Sequence, residues 1–408
     1  MSFFTAATAA TAATAATAAT AATAATAAGR SAMNLANLAG LMGDPYITEG
    51  LIASGARIDW DSAAAPSNRG FGYGADELPK FGGNEHLAKW QPDVRAHICQ
   101  TLLHEGLTYQ CDDTNHEHPA VILKYGNFES ETLEATASQG LPASTQKTIY
   151  CQRPIATISR PSAAVFQRQL EKVISHSRPD LRRARAPEII TQVLPQVPYW
   201  CTLLPLSPWR TPWTLELIGI VLNFAMQVVH RFKHELAVPR PIELSPQAQP
   251  LLLTPGWSAL PSGHATEAFV FAHLMRKLLQ LPRGSALDNA LQQQAQSIAD
   301  NRVYAGLHYP VDGVAGRLLG ITLAEYAVAR CTTGSTCRPR TFNGEAVQAD
   351  IDLSLADEIE GSGKAPPGYC SFGSPLLIHG DKTLQVLWQR AFEEVKGLGF
   401  DSANSAKP

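Results

Sequence analysis

The sequence predicts an all-α fold, a helical bundle with a mixed, loop-rich region ahead of it. Three observations predict it. Between Ala186 and Ala329 apolar residues recur at helical spacing in four long segments with short connections, the pattern of an antiparallel bundle. The segment boundaries carry helix punctuation, such as Thr211 followed by Pro212. Of the 408 residues 45% are hydrophobic and only 17% charged, so a sizeable core can be buried.

In chain order, residues 1–30 read as a low-complexity tail. From Thr5 to Ala28 the triplet Thr-Ala-Ala repeats without a break. It has neither the basic start nor the leucine-rich stretch of a secretory signal. Thr opposes the helix that Ala favours, and a three-residue period winds the threonines around it, so no buried face forms. Residues 31–185 read as a mixed region of unassigned function, with turn signals at Gly70, Gly72, Gly74, Gly82, Gly83, Pro142 and Pro154. A helix is predicted over Asp93 to Glu105, with Val94, Ile98, Leu102 and Leu103 on one face. Another is predicted over Ala163 to Ile174, and a short strand around Val121 to Leu123.

Residues 186–330 are expected to form the helical core. Thr211 as N-cap and Pro212 in the first turn open a helix to Phe232. Its apolar run, Trp213 to Val229, includes Glu216, Asn223 and Gln227. A membrane span needs about 20 mostly apolar residues, so this run reads as a buried core helix and no span is expected. Further helices are predicted from Ser262 to Leu279, Ala286 to Ala305 and Val311 to Ala329; Pro310 breaks the chain near His308. The glutamine-rich stretch Ala286 to Ser297 reads as a solvated face or a contact between copies in a homo-oligomer. Residues 331–408 read as a loop-rich extension, marked by Gly334, Pro339, Pro366, Pro367 and Gly368. It ends in an amphipathic helix, Lys382 to Val395.

Charge narrows the partners. Lys and Arg total 33 against 36 Asp and Glu, a net charge of −3, which gives no footprint for nucleic acid or an anionic membrane surface. Seven cysteines exclude a fully paired disulfide scaffold and fit a reducing compartment. Cys331 and Cys337 either close a small loop or stay reduced. The expected location is cytoplasmic or otherwise soluble.

The chemistry concentrates in three short segments at predicted helix ends. KHELAVPRP holds Lys233 and Arg240, followed by Pro241. PSGHAT holds Pro261, Ser262, Gly263 and His264. NRVYAGLHYPVD holds Arg302, His308 and Asp312. Singly, each has an ordinary structural reading: cations at a helix C-terminus, a Ser N-cap, a hydrogen-bonded core histidine. Jointly, three cations, two histidines, a glycine at a helix N-terminus and a carboxylate behind a histidine suit one tetrahedral oxyanion. The backbone N–H groups of Ser262 and Gly263 are expected to point outward, and glycine lets an anion approach closely. Arg matches oxyanions with two parallel bonds. His308 becomes a nucleophile or ligand once its other nitrogen is held, and His264 is left to move a proton. No Cys or carboxylate cluster with divalent-metal spacing accompanies them.

The order Lys-x6-Arg-Pro, Pro-Ser-Gly-His, Arg-x5-His-x3-Asp resembles the superfamily of type 2 phosphatidic acid phosphatases, class A acid phosphatases and vanadium haloperoxidases. The resemblance covers Ile189 to Ala329, and one position departs: Asn301 stands where Ser usually precedes the arginine. The family implies an all-α bundle with an oxyanion at one end. It assigns Lys233, Arg240 and Arg302 to the equatorial oxygens, helped by Ser262 and Gly263. His264 is then the acid–base histidine, His308 the axial group and Asp312 its support. Two activities follow from the resemblance. In a haloperoxidase His308 holds vanadate, and hydrogen peroxide with Lys233 assisting oxidises a halide that reaches a small organic acceptor. In a phosphatase, which needs no cofactor, His308 attacks a phosphoester and becomes phosphohistidine. The haloperoxidase reading is favoured by chain length and by Trp257, five residues before Ser262, where haloperoxidases carry a bulky ring. A non-catalytic oxyanion-binding protein is the third reading. His230 reads as a surface residue one turn before Lys233.

Overall fold

The computed structural model describes residue 87 and residues 90–134, 144–193, 196–348 and 367–398. The Thr-Ala-Ala tail, the glycines from Gly70 to Gly83, Pro142 and Pro366 lie outside the described residues.

The first helix, α1 (Pro92–His104), matches its expected span, but its buried face is rotated. Arg95, Ala96, Cys99 and Leu103 point inward, and Val94 is exposed. The cause is an ion pair: the Arg95 guanidinium grips the Glu216 carboxylate through two bonds of 2.6 Å. A buried charge needs such a partner, and this one turns the helix.

The all-α expectation is corrected next. The described chain is mostly helical, yet β1 (Leu107–Asp112), β2 (Ala120–Glu134) and β3 (Ser144–Ser159) follow α1 in one sheet. They are joined by β5 (Arg340–Phe342) and β6 (Cys370–Phe372) in the order β1-β2-β3-β5-β6. A separate pair is formed by β4 (Thr336–Cys337) and β7 (Leu376–Leu377). Val121, Leu123 and Tyr125 alternate inward on β2, and Ala156 and Ile158 meet the core on β3. Pro154, read from sequence as a turn, lies within β3. The register shifts between Leu123 and Lys124, which pair with Ala156 and Pro154, so Ile155 is skipped. A proline that cannot donate to a ladder is tolerated at such a bulge.

Helices α2 (Ala163–His176) and α3 (Pro179–Thr191) lead through the short α4 (Val197–Cys201) to α5 (Pro212–Leu236). Thr211 makes no side-chain cap on α5; Glu394 does so, accepting from the N–H of Trp213 and Thr214 at 2.9 and 2.8 Å. After the four-residue α6 (Pro241–Leu244) come α7 (Gly263–Leu278), α8 (Ala286–Tyr304) and α9 (Pro310–Cys331). The last helix is α10 (Lys382–Lys396), which carries Glu394.

One cluster of buried apolar side chains runs from Ala96 to Val395. At its centre α5 packs on α7, α1 and α10. The stretch Pro212–Leu244 is long and apolar enough to cross a membrane; an 18-residue window within it has a mean hydropathy of 1.4, and 61% of that window is buried inside the protein. Helices α7 and α9 touch through backbone. A Cβ on Gly316 would lie 2.6 Å from the Ser262 carbonyl oxygen, and one on Gly320 would lie 2.5 Å from that of Thr266. Only glycine permits this approach, which sets the start of α7 against the start of α9. All seven cysteines are free thiols, Cys331 and Cys337 included.

Candidate active site

The site forms where α7 and α9 begin and α5 ends. Pro310 stands in the first turn of α9 and Asp312 at its third position, so the carboxylate reaches back to the helix start. Its Oδ2 accepts the Tyr309 N–H at 2.9 Å and meets His308 Nδ1, also at 2.9 Å. With both donors on one oxygen, the network places the proton of neutral His308 on Nδ1. The Nε2 lone pair then faces Arg240 Nη1 at 2.8 Å. His308 is thus oriented from both sides.

The same Asp312 ties the second motif to the third, because its carbonyl accepts the Ser262 N–H at 2.9 Å. This corrects the expectation that the Ser262 N–H points outward. Ser262 caps α7 instead, its hydroxyl oxygen accepting from Ala265 N at 3.4 Å, which leaves the hydroxyl proton to donate. The first-turn N–H groups of Gly263 and His264 are the ones a helix leaves without an internal partner.

Three cations surround this point, all buried. Lys233, in the last turn of α5, donates to the carbonyls of Ser258 and Ala259 at 2.8 Å each. A third ammonium proton remains. Arg240 donates through Nε to the Trp257 carbonyl at 2.8 Å and through Nη1 to that of Leu307 at 2.9 Å. Arg302 donates through Nη2 to the Ile189 carbonyl and to Gln192 Oε1, both at 3.1 Å. Its Nε and Nη1 are buried and have no partner among the described residues.

Burial and mutual repulsion depress the bases here. Burial, then Arg240, holds the Lys233 ammonium well below its usual value, with Asp312 opposing. Burial pushes Arg240 and Arg302 down to about 10. His264 falls to about 3 through burial and then Arg302, opposed by a bond to the Gln192 backbone. His308 also lies well below its usual value, through burial and then Arg240. Burial pushes Asp312 up to about 7 against its hydrogen bond from Tyr309. Positive charge outweighs negative, and an entering anion reverses the push on His264.

Two buried arginine nitrogens without partners are a place prepared for something negative. Residues 213–333 match the PAP2 superfamily. This segment belongs to it. No curated protein matches the chain. All ten motif residues fall within the PAP2 segment, and the structure brings its cations, histidines and Asp312 to one end of α7.

Several contributors carried no motif. Asn301, the departure from the pattern, is fully buried and donates to Glu188 Oε2 at 2.9 Å and Gln192 Oε1 at 3.0 Å. It accepts from Arg185 at 3.0 Å, so it clamps α8 to α3 and spends its bonds there. Gln192 ends α3, before the PAP2 segment begins, bonds Arg302 and raises the His264 pKa. Trp257 is no core aromatic: it is 38% exposed, stands edge-on to exposed His230 at 5.6 Å, and fixes Arg240 through its carbonyl. The signal for Gln192 is only positional, an amide just past the end of a helix.

Proposed function

We propose that the PAP2 segment binds a tetrahedral oxyanion and performs in-line chemistry at its central atom, and that the chain is a vanadium-dependent haloperoxidase-like enzyme. The observation that carries the oxyanion reading is Arg302, whose Nε and Nη1 are buried without a partner beside His308 and His264. An unpaired buried donor is unfavourable by about 1–3 kcal/mol, more when charged, and a bound oxyanion relieves it. Vanadate fits this donor set. Lys233, Arg240, Arg302, Ser262 and Gly263 would hold its oxygens, and His308 Nε2 would hold its vanadium. When bound, vanadate supplies activation of hydrogen peroxide toward a halide. Burial and Arg240 keep His308 neutral, and Asp312 holds its proton on Nδ1, so that Nε2 faces forward. Arg240 shifts from His308 Nε2 to an oxygen of the anion. Lys233, with two N–H groups on the Ser258 and Ala259 carbonyls, would have its third N–H to give to the bound oxygens. His264, raised by the arriving charge, moves the proton. The exposed ring of Trp257, a residue whose carbonyl holds Arg240, supports the haloperoxidase branch.

The match to the PAP2 superfamily favours a second reading, hydrolysis of a phosphate monoester. In that case His308 Nε2 attacks phosphorus, and the bond to the leaving oxygen breaks as His264 protonates it. Water then attacks the phosphohistidine and releases phosphate. The cations stabilise the five-coordinate transition state in either direction. On both readings the enzyme works as a soluble protein, with α5 as a core helix.

Phosphate-free protein supplied with orthovanadate, bromide and hydrogen peroxide decides between them. Saturable bromination of a dye is expected on the first reading. No bromination, with vanadate instead inhibiting cleavage of a chromogenic phosphate ester, replaces it with the second.

A further inference from the structure

Gln192 lies at the end of α3, which precedes the PAP2 segment, yet it meets two residues of the site. Its Oε1 accepts from Arg302 Nη2 at 3.1 Å and from Asn301 Nδ2 at 3.0 Å. Two donors on that oxygen fix which end of the carboxamide is which. Three residues earlier, Ile189 offers its carbonyl to the same Arg302 nitrogen at 3.1 Å. The Gln192 backbone also acts on His264, opposing the fall of its pKa. This follows from helix physics. The last carbonyls of a helix lack internal partners and carry partial negative charge, so they suit a guanidinium and an imidazole N–H. The end of α3 therefore aims Arg302.

The other end of the carboxamide is unexplained by this role. Gln192 is fully buried, and its Nε2 has no partner among the described residues. A residue serving only as an acceptor for Arg302 leaves two amide protons in a dry site, which is unfavourable. That nitrogen shares one planar group with the oxygen holding Arg302, whose Nε and Nη1 are also buried and without partners. Three buried donor nitrogens on two adjoining side chains thus lack an acceptor, and one bound oxyanion would serve them all.

We propose that Gln192 is a further oxyanion-binding residue, which holds Arg302 with its carboxamide oxygen and donates from Nε2 to an oxygen of the bound anion. The inference rests on the oxyanion reading above, whether the anion is vanadate or a phosphate group. A neutral donor beside three cations adds direction without adding charge. It favours an anion whose oxygen accepts there over a halide ion, which has no directional acceptor.

Gln192→Glu tests it by keeping an acceptor for Arg302 while removing the donor. Orthovanadate and inorganic phosphate are titrated into wild type and variant from pH 8 to pH 5. At pH 8 the variant should bind both more weakly by on the order of tenfold to a hundredfold. The ratio to wild type should shrink as pH falls, because the introduced carboxyl regains an O–H donor when it is protonated. Wild-type affinity at pH 8, or a deficit that does not change with pH, overturns the proposal. If the wild type binds neither anion, the oxyanion reading itself fails. A wild-type crystal soaked in vanadate needs no variant. An oxygen within about 2.7–3.2 Å of Gln192 Nε2 is expected, and a water or no atom at that position contradicts the proposal.

Discussion

The two ends of α7 are both rich in arginine and histidine, and they are used differently. At the far end, a cavity of about 440 Å³ is lined by His273, Arg276, Lys277, Gln280, Leu281, Arg283 and Glu325. There the arginines meet fixed carboxylates: Arg276 pairs with Asp288 at 2.5 Å, and Arg340 pairs with Glu325 at 2.7 Å. At the near end, Lys233 and Arg302 meet only carbonyl or amide oxygens, and Arg240 meets carbonyls and a histidine. Asp312 is turned to His308 and the Tyr309 N–H. A helix of this length separates the ends by roughly 20 Å. Arginines matched by carboxylates of the chain are structural. Arginines matched by neutral oxygens, with nitrogens left over, are arranged for a negative group that comes and goes. Burial and positive charge do not separate the two ends; partner chemistry does, and it agrees with the motifs.

The comparison breaks most visibly at His308. His308→Ala should lower whichever activity is found by at least about a thousandfold in a steady-state assay, with the fold intact by circular dichroism.

Exchanging the arginines sharpens it. Arg302→Met should lower activity by about a hundredfold to a thousandfold and leave the melting point of the anion-free protein level or higher, since a poorly satisfied buried charge is removed. Arg276→Met should keep activity and lose about 3–5 kcal/mol in denaturant unfolding, because Asp288 is left buried and unpaired. Opposite outcomes would mean that the ends have been assigned the wrong way round.

Acid should distinguish the empty from the filled site. His264 ordinarily titrates at 6.5 and sits at about 3 in the anion-free fold. Between those values the unfolded chain binds more protons, so this contribution to stability is lost as pH falls from about 6.5 towards 3. Phosphate raises the His264 pKa and narrows that window. Melting points should therefore fall more steeply with acid in phosphate-free protein than in saturating phosphate. Parallel slopes would show that the anion does not reach His264.

The smallest effect is expected at Glu267, one turn beyond His264, which burial pushes from 4.5 up to about 8. It binds its proton more tightly folded than unfolded, so its contribution is lost as pH rises from about 4.5 through 8. Glu267→Gln should differ little in stability from wild type at about pH 4 and should be the more stable form at about pH 9. Urea unfolding at the two pH values checks this.

Much of this was legible in the sequence because its signals are local. Helices α5, α7, α8 and α9 follow periodicity and proline placement, and the site motifs sit at their ends. The sheet was mostly hidden. Val121 to Leu123 showed as a strand, but β1 beside it carried no signal, its partners in β3, Ala156 to Ile158, are distant in sequence, and Pro154 disguised β3 as a turn. Helix α1 was seen, but not its face, because Arg95 turns inward to Glu216 from another helix. The Ser262 N–H was assigned to the anion because no sequence pattern shows Asp312 offering its carbonyl. Gln192 was missed for a related reason: an uncharged amide carries no motif, and its role appears only once α3 is docked on Arg302.

The most direct test of the central claim is a calorimetric titration of phosphate-free protein with orthovanadate, repeated on Arg302→Met and Arg276→Met. The expected result is one saturable site per chain, lost in Arg302→Met and unchanged in Arg276→Met. Binding that survives Arg302→Met, or that disappears with Arg276→Met, would contradict the assignment of the oxyanion site to the near end of α7.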